Sequence, residues 1–334
     1  MAAFRVGIDS YCLHPLALPP SDVLEWAERH GGEGVQFSGI NLPAGRTPDA
    51  EFLADLRAEA RERGLYLEWG GGQHVPFDTE TWRTKDLLPG NRRAAEQAHA
   101  LGTRIVRSCS GGFFRWGEHA PPTDALLCAM AAALQPQRQL FRDLDVVLAI
   151  ELHFEFTTFE LVRLFEMCDA EPGDWLGVCL DTFNMLPLLE DPVAGTERIL
   201  PWVVATHVKD GALRLGAEGI ISFPTELGRG LVDFDAILDR LAALGRPVNL
   251  SVEDHGGEFT TRIYDSVFLR RFPDLAAAEL GRLIQLAYVG GERLAAGEVT
   301  LTDRADWKSL CQDRTERDLA YLRGLVEKRT DGGR

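Results

Sequence analysis

The sequence lacks the patterns that mark several common protein classes. Its 334 residues include six cysteines, but these form no CxxC pair and no framework spacing, so we expect reduced thiols rather than a zinc knuckle or a disulfide scaffold. The longest uncharged apolar run, 125–134, is far shorter than the roughly 20 residues that a membrane span needs. The first residues lead almost directly into a strand pattern, which leaves no room for a signal peptide. These absences predict a cytoplasmic protein that does not associate with membranes.

Positive charge is also scarce. The chain has 35 lysines and arginines against 51 aspartates and glutamates, which gives a formal net charge of −16. A protein that binds nucleic acid by neutralising phosphates should be basic, at least locally. Here the basic residues are scattered along helical faces among at least as many acidic ones. The charge therefore disfavours nucleic acid and anionic membranes as partners.

A regular alternation of strand and helix patterns extends to about residue 256. Eight strand-like runs in this length give about 32 residues per unit, the size of the βα unit in a (β/α)₈ barrel. No GxGxxG motif follows the first run, which disfavours a doubly wound open sheet. We therefore predict an α/β fold, a (β/α)₈ TIM barrel over residues 1–256. The predicted strands are FRVGID, GVQFSG, LYLEWG, RIVRSC, VVLAIEL, LGVCLD, VVATHV and PVNLSVE.

The remaining residues, 257–334, follow a different pattern. A loop or lid comes first, and two helical stretches follow, Ala276 to Ala296 and Asp303 to Lys328. We predict that this helical extension packs on the barrel or on a second subunit, because its helices carry apolar stripes. A homo-oligomer is therefore expected. The first stripe consists of Leu275, Leu280, Leu283 and Leu286.

The fifth strand run leads directly into residues that can carry chemistry. The apolar run 146–150 is followed by Glu151, with His153 and Glu155 each two residues further on. Because side chains alternate along a strand, the three are predicted to share one face. A buried carboxylate and a buried imidazole cost free energy unless something binds them. This pattern predicts a ligand at the C-terminal end of the strand.

Three later strand runs end in the same types of residue. In a (β/α)₈ barrel the active site lies at the C-terminal strand ends, so these side chains should converge. Taken singly, Asp181 could be a helix N-cap, and His207 could be a buried histidine whose hydrogen bonds are satisfied. The register of Glu253 is uncertain by one residue. Taken together, three carboxylates repel one another, and a divalent cation relieves the repulsion. Mn²⁺ is preferred, with Mg²⁺ or Co²⁺ as alternatives. The predicted metal ligands are Glu151, Asp181, His207 and Glu253.

Several segments resemble the xylose-isomerase-like barrel superfamily, which contains sugar isomerases, ketose 3-epimerases, inosose dehydratases and apurinic endonucleases. The resemblance spans about residues 4–256 and is strongest over 146–254. It implies that the four strand-end residues are metal ligands, and that Glu151 and Glu253 also transfer protons. Asn184 departs from the pattern, because the epimerases and the multi-zinc endonucleases have a histidine there. The matching segments are IELHFEFTTFELVRL, GVCLDTFNML, ATHVKD, TELGRGLVDF and SVED.

The predicted chemistry is proton abstraction next to a carbonyl. A metal that chelates a carbonyl and a neighbouring hydroxyl acidifies the carbon between them and stabilises an enediolate. One glutamate removes the proton and the other returns one, which favours a sugar isomerase or epimerase acting on a small sugar or an oxidised sugar. His153, Lys209 and His255 are candidate auxiliary acids or bases. His153 has a second interpretation, as a partner that orients Glu151.

Other functions remain as alternatives. The first is a lyase of the same superfamily: a dehydratase, a decarboxylase, or the large subunit of a C-glycoside deglycosidase that acts on 3-oxo sugars with a small second subunit. An apurinic endonuclease is disfavoured by the acidic charge and by Asn184, and a non-catalytic sugar-binding barrel by the intact set of ligands. Barrel packing is an equal alternative for the aromatic residues among the predicted substrate contacts. Those predicted contacts are His74, Arg107, Trp69, Trp116, Asn184 and His255.

Overall fold

The fold is a closed barrel of parallel strands surrounded by helices. A computed structural model describes residues 4–42, 47–109, 112–117 and 119–331. Eight strands of this described part form the barrel in the order β1-β10-β7-β6-β5-β4-β3-β2. They are β1 (Phe4–Asp9), β2 (Gly34–Phe37), β3 (Tyr66–Gly72), β4 (Ile105–Ser108), β5 (Val147–Glu151), β6 (Leu176–Asp181), β7 (Val203–Val208) and β10 (Val248–Val252).

The first and last strands of the barrel are hydrogen-bonded neighbours. The pairing of β1 with β10 is parallel and runs from Phe4 opposite Val248 to Ile8 opposite Val252. Strands β5 and β6 are buried at every position, as expected for strands covered by helices on one side and by the barrel interior on the other. This closure confirms the (β/α)₈ barrel that the sequence predicts.

Helices cover the outside of the barrel and extend beyond it. Several begin where the sequence supplies a cap; the side chain of Thr157 and that of Glu160, for example, form a reciprocal capping box at the start of α6. None of the described helices combines the length and apolar composition needed to cross a bilayer. The helices are α1 (Pro20–Arg29), α2 (Ala50–Glu62), α3 (Leu88–Leu101), α4 (Thr123–Leu134), α5 (Arg138–Asp143), α6 (Thr158–Met167), α7 (Pro192–Ile199), α8 (Phe234–Ala243), α9 (Ser266–Leu269), α10 (Ala277–Ala295) and α11 (Trp307–Asp331).

A second sheet interrupts the alternation after β7. Its three antiparallel strands are β8 (Asp210–Leu215), β9 (Ile220–Thr225) and β11 (Phe259–Thr261), in the order β11-β9-β8. The sequence interpretation assigned no strands to these segments. Helix α10 lies against β8, and Gly290 permits the close approach, because a Cβ there would lie 2.1 Å from the carbonyl oxygen of Leu213.

The predicted helices of the extension are present as α10 and α11, and each contacts the rest of the protein. Trp307 is buried at the start of α11, and its indole N–H donates a hydrogen bond of 2.9 Å to the carbonyl of Cys12. Further along α11, Arg314 forms an ion pair of 2.7 Å with Asp254, directly after β10. These contacts hold α11 against the segments that follow β1 and β10, at the C-terminal end of the barrel.

Asp210 organises the loop that follows β9. Its carboxylate is buried and accepts four backbone hydrogen bonds of 2.8–3.1 Å. Gly230 is required at this point, since a Cβ there would lie 2.0 Å from the Asp210 carboxylate. The donors are the backbone N–H groups of Gly211, Gly228, Gly230 and Val232.

Replacing Asp210 with alanine should therefore lower the free energy of unfolding strongly. Several buried N–H donors would lose their acceptor, at a cost of about 1–3 kcal/mol for each group left unsatisfied, so we expect a total loss of about 3 kcal/mol or more. Denaturant unfolding measures this difference. Asp233→Ala is the matched control, because exposed Asp233 only caps α8 through one hydrogen bond to Ala236, worth about 1 kcal/mol. Equal losses in the two variants would contradict the role of Asp210.

Candidate metal centre and substrate cavity

A cavity of about 890 Å³ opens at the C-terminal ends of the barrel strands. Charged side chains line its floor, and an aromatic wall of Phe113, Phe154 and Phe259 lines one side, with ring centroids 4.9–5.0 Å apart. Residues of β8 and β9 and the segment 256–259 close the cavity from above. Its size suits a small ligand. The predicted site residues that line it are Arg107, Glu151, His153, Asn184, Lys209, Glu253 and His255.

Three of the four predicted metal ligands form a compact buried cluster. Glu151 ends β5, Asp181 ends β6, and His207 lies opposite Asp181 on β7. One ligand atom from each lies within 4.8 Å of the other two. The Nδ1 atom of His207 lies 3.0 Å from Oε1 of Glu151. Two ligand atoms on one octahedral ion, each about 2.1 Å from it, are about 3 Å apart, so this spacing fits a shared ion.

Lys209 lies between this cluster and Glu253, the fourth predicted ligand. The Nζ atom of Lys209 lies 3.0 Å from Oδ2 of Asp181 and also contacts Oε2 of Glu253. Burial raises the pKa of Glu253 and the lysine lowers it, and the balance lies at about 2. The structure thus resolves the register after β10: Glu253 lines the cavity, whereas Asp254 pairs with Arg314.

A second cation lies on the opposite side of the cluster. Arg107, from β4, holds Oε2 of Glu151 at 2.6 Å. Burial would raise the pKa of Glu151, but Arg107 and His207 outweigh it and keep that pKa well below its usual range. The sequence placed Arg107 among the substrate contacts, and its guanidinium does line the cavity.

The net negative charge of this centre favours the binding of a divalent cation. Four carboxylates each contact His207 or Lys209, and the two side chains with a fixed positive charge pair with three of them. This leaves a formal charge of −2 before any proton on the histidine is counted. Burial also raises the pKa of Asp181, although Lys209 opposes this. The donor set of oxygen atoms and one imidazole suits Mn²⁺, Mg²⁺ or Co²⁺. The residues counted are Asp9, Glu151, Asp181 and Glu253 against Arg107 and Lys209.

Three residues in or next to the centre, Asp9, Gln36 and Glu68, were missed by sequence reasoning. Nε2 of His207 lies 3.2 Å from Oδ2 of Asp9, at the end of β1, and contacts Oε1 of Gln36 on β2. Gln36 in turn donates a hydrogen bond of 2.5 Å to buried Glu68 on β3. Asp9 carries the signal that identified Asp181, a carboxylate at a strand end, and the same argument could have found it. Gln36 and Glu68 lie within their strands and give no such signal.

His153 belongs to a second cluster at the edge of the cavity. Strand β5 ends at Glu151, so the predicted alternation does not continue to residue 155. Nδ1 of His153 lies 3.2 Å from Oε1 of Glu155, and these residues together with Cys109 bring ligand-type atoms within 4.8 Å of one another. His153 therefore pairs with Glu155 and not with Glu151, contrary to the interpretation that it orients Glu151.

Asn184 and His255 lie beside the centre. The amide nitrogen of Asn184 donates hydrogen bonds to Oδ2 of Asp181 at 2.8 Å and to the Leu152 carbonyl at 3.2 Å. Its buried Oδ1 atom has no hydrogen-bond partner among the described residues. Nε2 of His255 lies 3.8 Å from Oε1 of Glu253. Asn184 thus positions a predicted ligand and offers an acceptor in the cavity lining.

Three predicted substrate contacts are not part of the cavity lining. Side chains alternate along β3, and Glu68 faces the barrel interior, so its neighbour Trp69 faces outward. There the indole N–H of Trp69 donates a hydrogen bond to Gln97 of α3. His74 is buried, with Nδ1 2.8 Å from Oγ of Ser108. Trp116 packs against a cluster of phenylalanines that includes Phe268 and Phe272. The aromatic wall of the cavity is formed by Phe113, Phe154 and Phe259 and not by Trp69 or Trp116.

These features define a (β/α)₈-barrel enzyme with an acidic, histidine-containing centre at its C-terminal strand ends. The comparison of sequences gives the family. The chain belongs to the xylose isomerase-like TIM barrel family, whose sequence model matches residues 24–284. This confirms the resemblance seen in the strand-end segments.

Individual relatives are enzymes of sugar metabolism. The chain is 29% identical over 204 residues to 3-oxo-isoapionate decarboxylase of Pectobacterium atrosepticum; the match covers 60% of this chain and 66% of that enzyme, just under two thirds of its length. The structure of L-ribulose 3-epimerase has a TM-score of 0.57 at 20% identity and covers 89% of this chain and 97% of that chain. A xylose isomerase-like TIM barrel protein from Mycobacterium smegmatis in complex with magnesium has a TM-score of 0.53 at 17% identity, covering 81% of this chain and 90% of that one. The last of these proteins was thus solved with magnesium bound, and the structural matches establish the fold.

Proposed function

We propose that this protein is a divalent-metal-dependent decarboxylase that acts on a small 3-oxo sugar acid through an enediolate. The observation that carries the proposal is the pair of buried cations, Arg107 and Lys209, which line the cavity beside the candidate metal ligands. Both cations already contact protein carboxylates, but Nε of Arg107 has no hydrogen-bond partner among the described residues, and the Lys209 ammonium has three N–H groups for two carboxylates. Each cation therefore has a donor left that suits a substrate carboxylate. Similarity to a decarboxylase of a 3-oxo acid supports the same reaction class.

The proposed metal ligands are Glu151, Asp181 and His207, with Glu253 as the fourth. Bound there, an ion such as Mn²⁺ would supply a Lewis acid that polarises the substrate ketone. Dialysis against a chelator should therefore remove activity, and added Mn²⁺ should restore it. Full activity in protein shown to be free of metal would contradict the proposal.

The protein's own residues would bind the acid and manage charge. The bond between the carboxylate carbon and the neighbouring carbon breaks, CO₂ leaves, and the electron pair enters the ketone to form the enediolate. Lys209 would donate hydrogen bonds to the developing oxyanion with its three N–H groups. His153, at the cavity edge, would return a proton to the carbon that lost CO₂. Arg107 would hold the substrate carboxylate before cleavage.

An isomerase or epimerase is the second candidate, and one observation favours it. Glu151 and Glu253 both line the cavity but come from different strands, β5 and the end of β10, with Lys209 and the candidate metal centre between them. Two such carboxylates could remove a proton on one side of an enediolate and return it on the other. This was the hypothesis that the sequence favoured.

Product analysis in D₂O separates the two candidates. The metal-loaded protein would be incubated with a 3-oxo sugar acid labelled with ¹³C in its carboxyl group, and with neutral ketoses. Labelled CO₂ together with one deuterium in the product is the expected result. Deuterium in a ketose without loss of carbon would identify the isomerase or epimerase instead, and inertness toward both substrate classes would refute both candidates.

We further propose a cytoplasmic homo-oligomer. Apolar side chains remain more than half exposed on the segment that carries α9 and α10: Tyr264, Val267 and Tyr288 are 59–60% exposed. Burial of this surface against a second copy would remove it from water. Light scattering of the purified protein measures the mass, and a strict monomer at all concentrations would contradict this assignment.

A further inference from the structure

A second cavity of about 890 Å³ lies at the opposite end of the barrel, where the strands begin. Its lining includes the starts of β3, β4 and β5 and the ends of α2 and α3. Five arginines from separate parts of the chain line it, and we refer to it as the arginine basin. They are Arg5, Arg57, Arg61, Arg104 and Arg246.

The charge of the arginine basin is opposite to that of the protein. The chain as a whole carries a formal charge of −16. Among the described residues that line the basin, Glu68 alone is acidic. Its carboxylate accepts hydrogen bonds from Gln36 at 2.5 Å and Asn249 at 2.9 Å, so its acceptors are directed at amides and not at the arginines.

Most of the basin arginines lack an acidic partner. Arg104 pairs with Asp145 at 2.9 Å, but in the described chain no carboxylate lies within ion-pair distance of the other four. Arg5 and Arg246 each donate to backbone carbonyls through one terminal nitrogen. Arg57 reaches a carbonyl only at 3.5 Å, and the side chain of Arg61 makes no hydrogen bond with a described residue. Because a guanidinium has five N–H donors, most of the donor capacity of the basin is unused.

The backbone around the basin admits these side chains. Gly102, directly after α3, faces the guanidinium of Arg57, and a Cβ at that position would lie 2.8 Å from it. The guanidinium carbon of Arg5 lies 5.3 Å from the centroid of the Tyr66 ring, which holds it by a cation–π contact. At least one of the five guanidinium groups, that of Arg5, is thus held in place by its surroundings.

We propose that the arginine basin binds a small metabolite that carries two phosphate groups. Guanidinium groups match the oxygens of a phosphate bidentately, and arginines that converge from several elements suit a multivalent anion better than a single charge. The volume of the cavity accommodates a sugar bisphosphate. This site is independent of the proposed decarboxylation, because it lies at the other end of the barrel and involves none of the residues assigned to that reaction.

Calorimetric titration of the metal-loaded full-length protein with fructose 1,6-bisphosphate, after free metal has been removed, tests the proposal. Wild-type protein should bind, and Arg57→Ala/Arg61→Ala should weaken binding by about tenfold or more. Both side chains are exposed on α2, so the fold should survive, which circular dichroism checks. The matched control, Arg29→Ala/Arg92→Ala, removes two exposed helical arginines outside the basin and should bind like wild type.

Three results would overturn the proposal. The first is an absence of binding by the wild-type protein. The second is that Arg57→Ala/Arg61→Ala binds fructose 1,6-bisphosphate as tightly as the wild type does. If Lys209→Met weakens binding instead, the ligand occupies the cavity at the C-terminal strand ends. The third is equal or tighter binding of citrate, which would mean that the basin does not select phosphate. The arginines could instead only balance the negative ends of the α2 and α3 helix dipoles. In that case Arg57→Ala/Arg61→Ala should have a lower melting temperature than the wild type without ligand, and the ligand should not change the melting temperature of the wild type.

Discussion

Asp181→Asn is expected to lose most of its bound divalent metal while remaining folded. An asparagine can still accept the backbone hydrogen bonds of 2.9 Å that Phe183 and Asn184 donate to Oδ1 of Asp181. It cannot supply the negative charge that a divalent ion requires from a carboxylate. Loss of a supporting residue costs roughly 10–100-fold in metal affinity, so loss of a ligand should cost about 100-fold or more. Elemental analysis after dialysis measures the metal content, and activity should fall with it.

The neighbouring acid Asp254 provides the control for this experiment. It is buried like Asp181, but it pairs with Arg314 of α11 and does not line the cavity. Asp254→Asn should therefore keep its metal, even if its stability falls because Arg314 loses one of its two carboxylate partners. Full metal content in Asp181→Asn would remove Asp181 from the centre. Loss of metal in both variants would point to damage to the fold, which circular dichroism would reveal.

The barrel was predictable because its signal is repeated. Each barrel strand is covered on both faces, so it appears in the sequence as a short apolar run, and eight such runs at regular spacing leave few alternatives. The extra sheet was missed for the same physical reason. Strands β8 and β9 are also largely buried on both faces, so they lack the polar alternation of a surface hairpin, and a helix was expected after β7.

The site was predictable where a residue type and a strand end coincide. Glu151 and Asp181 each end a strand, and parallel strands bring such ends to one rim. Residues beyond a strand end have no such constraint. His74 follows β3 and turns into the packed interior, and His153 follows β5 and pairs with Glu155. The position of Lys209 between two carboxylates could not be predicted either, because Lys209 lies beyond the end of β7, where strand alternation no longer fixes the direction of a side chain.

The position of Lys209 makes its replacement the sharpest test of the proposed reaction. Lys209→Met is expected to reduce decarboxylation by about 10²–10³-fold, the range attributed to the loss of one donor to a developing oxyanion. Removal of an ammonium group 3.0 Å from Asp181 also removes a charge that repels a divalent ion, so metal affinity should be unchanged or higher. In Lys209→Met, turnover should therefore fall while the metal content stays the same or rises. In Asp181→Asn both should fall. Steady-state kinetics and elemental analysis of the same preparation measure both quantities.

A merely structural lysine would give a different result. In that case the loss of Lys209 would leave the buried carboxylates of Asp181 and Glu253 without their lysine partner. The main effect would then be a lower free energy of unfolding. Turnover of the metal-bound variant would stay close to that of the wild type. Lys308→Met, which alters an exposed lysine of α11, controls for the loss of a positive charge at long range. If it slows the reaction as much as Lys209→Met does, the role of the buried ammonium in catalysis is refuted. Lys209 contacts two proposed metal ligands and also lines the cavity, so its replacement tests the metal centre and the proposed stabilisation of the oxyanion together.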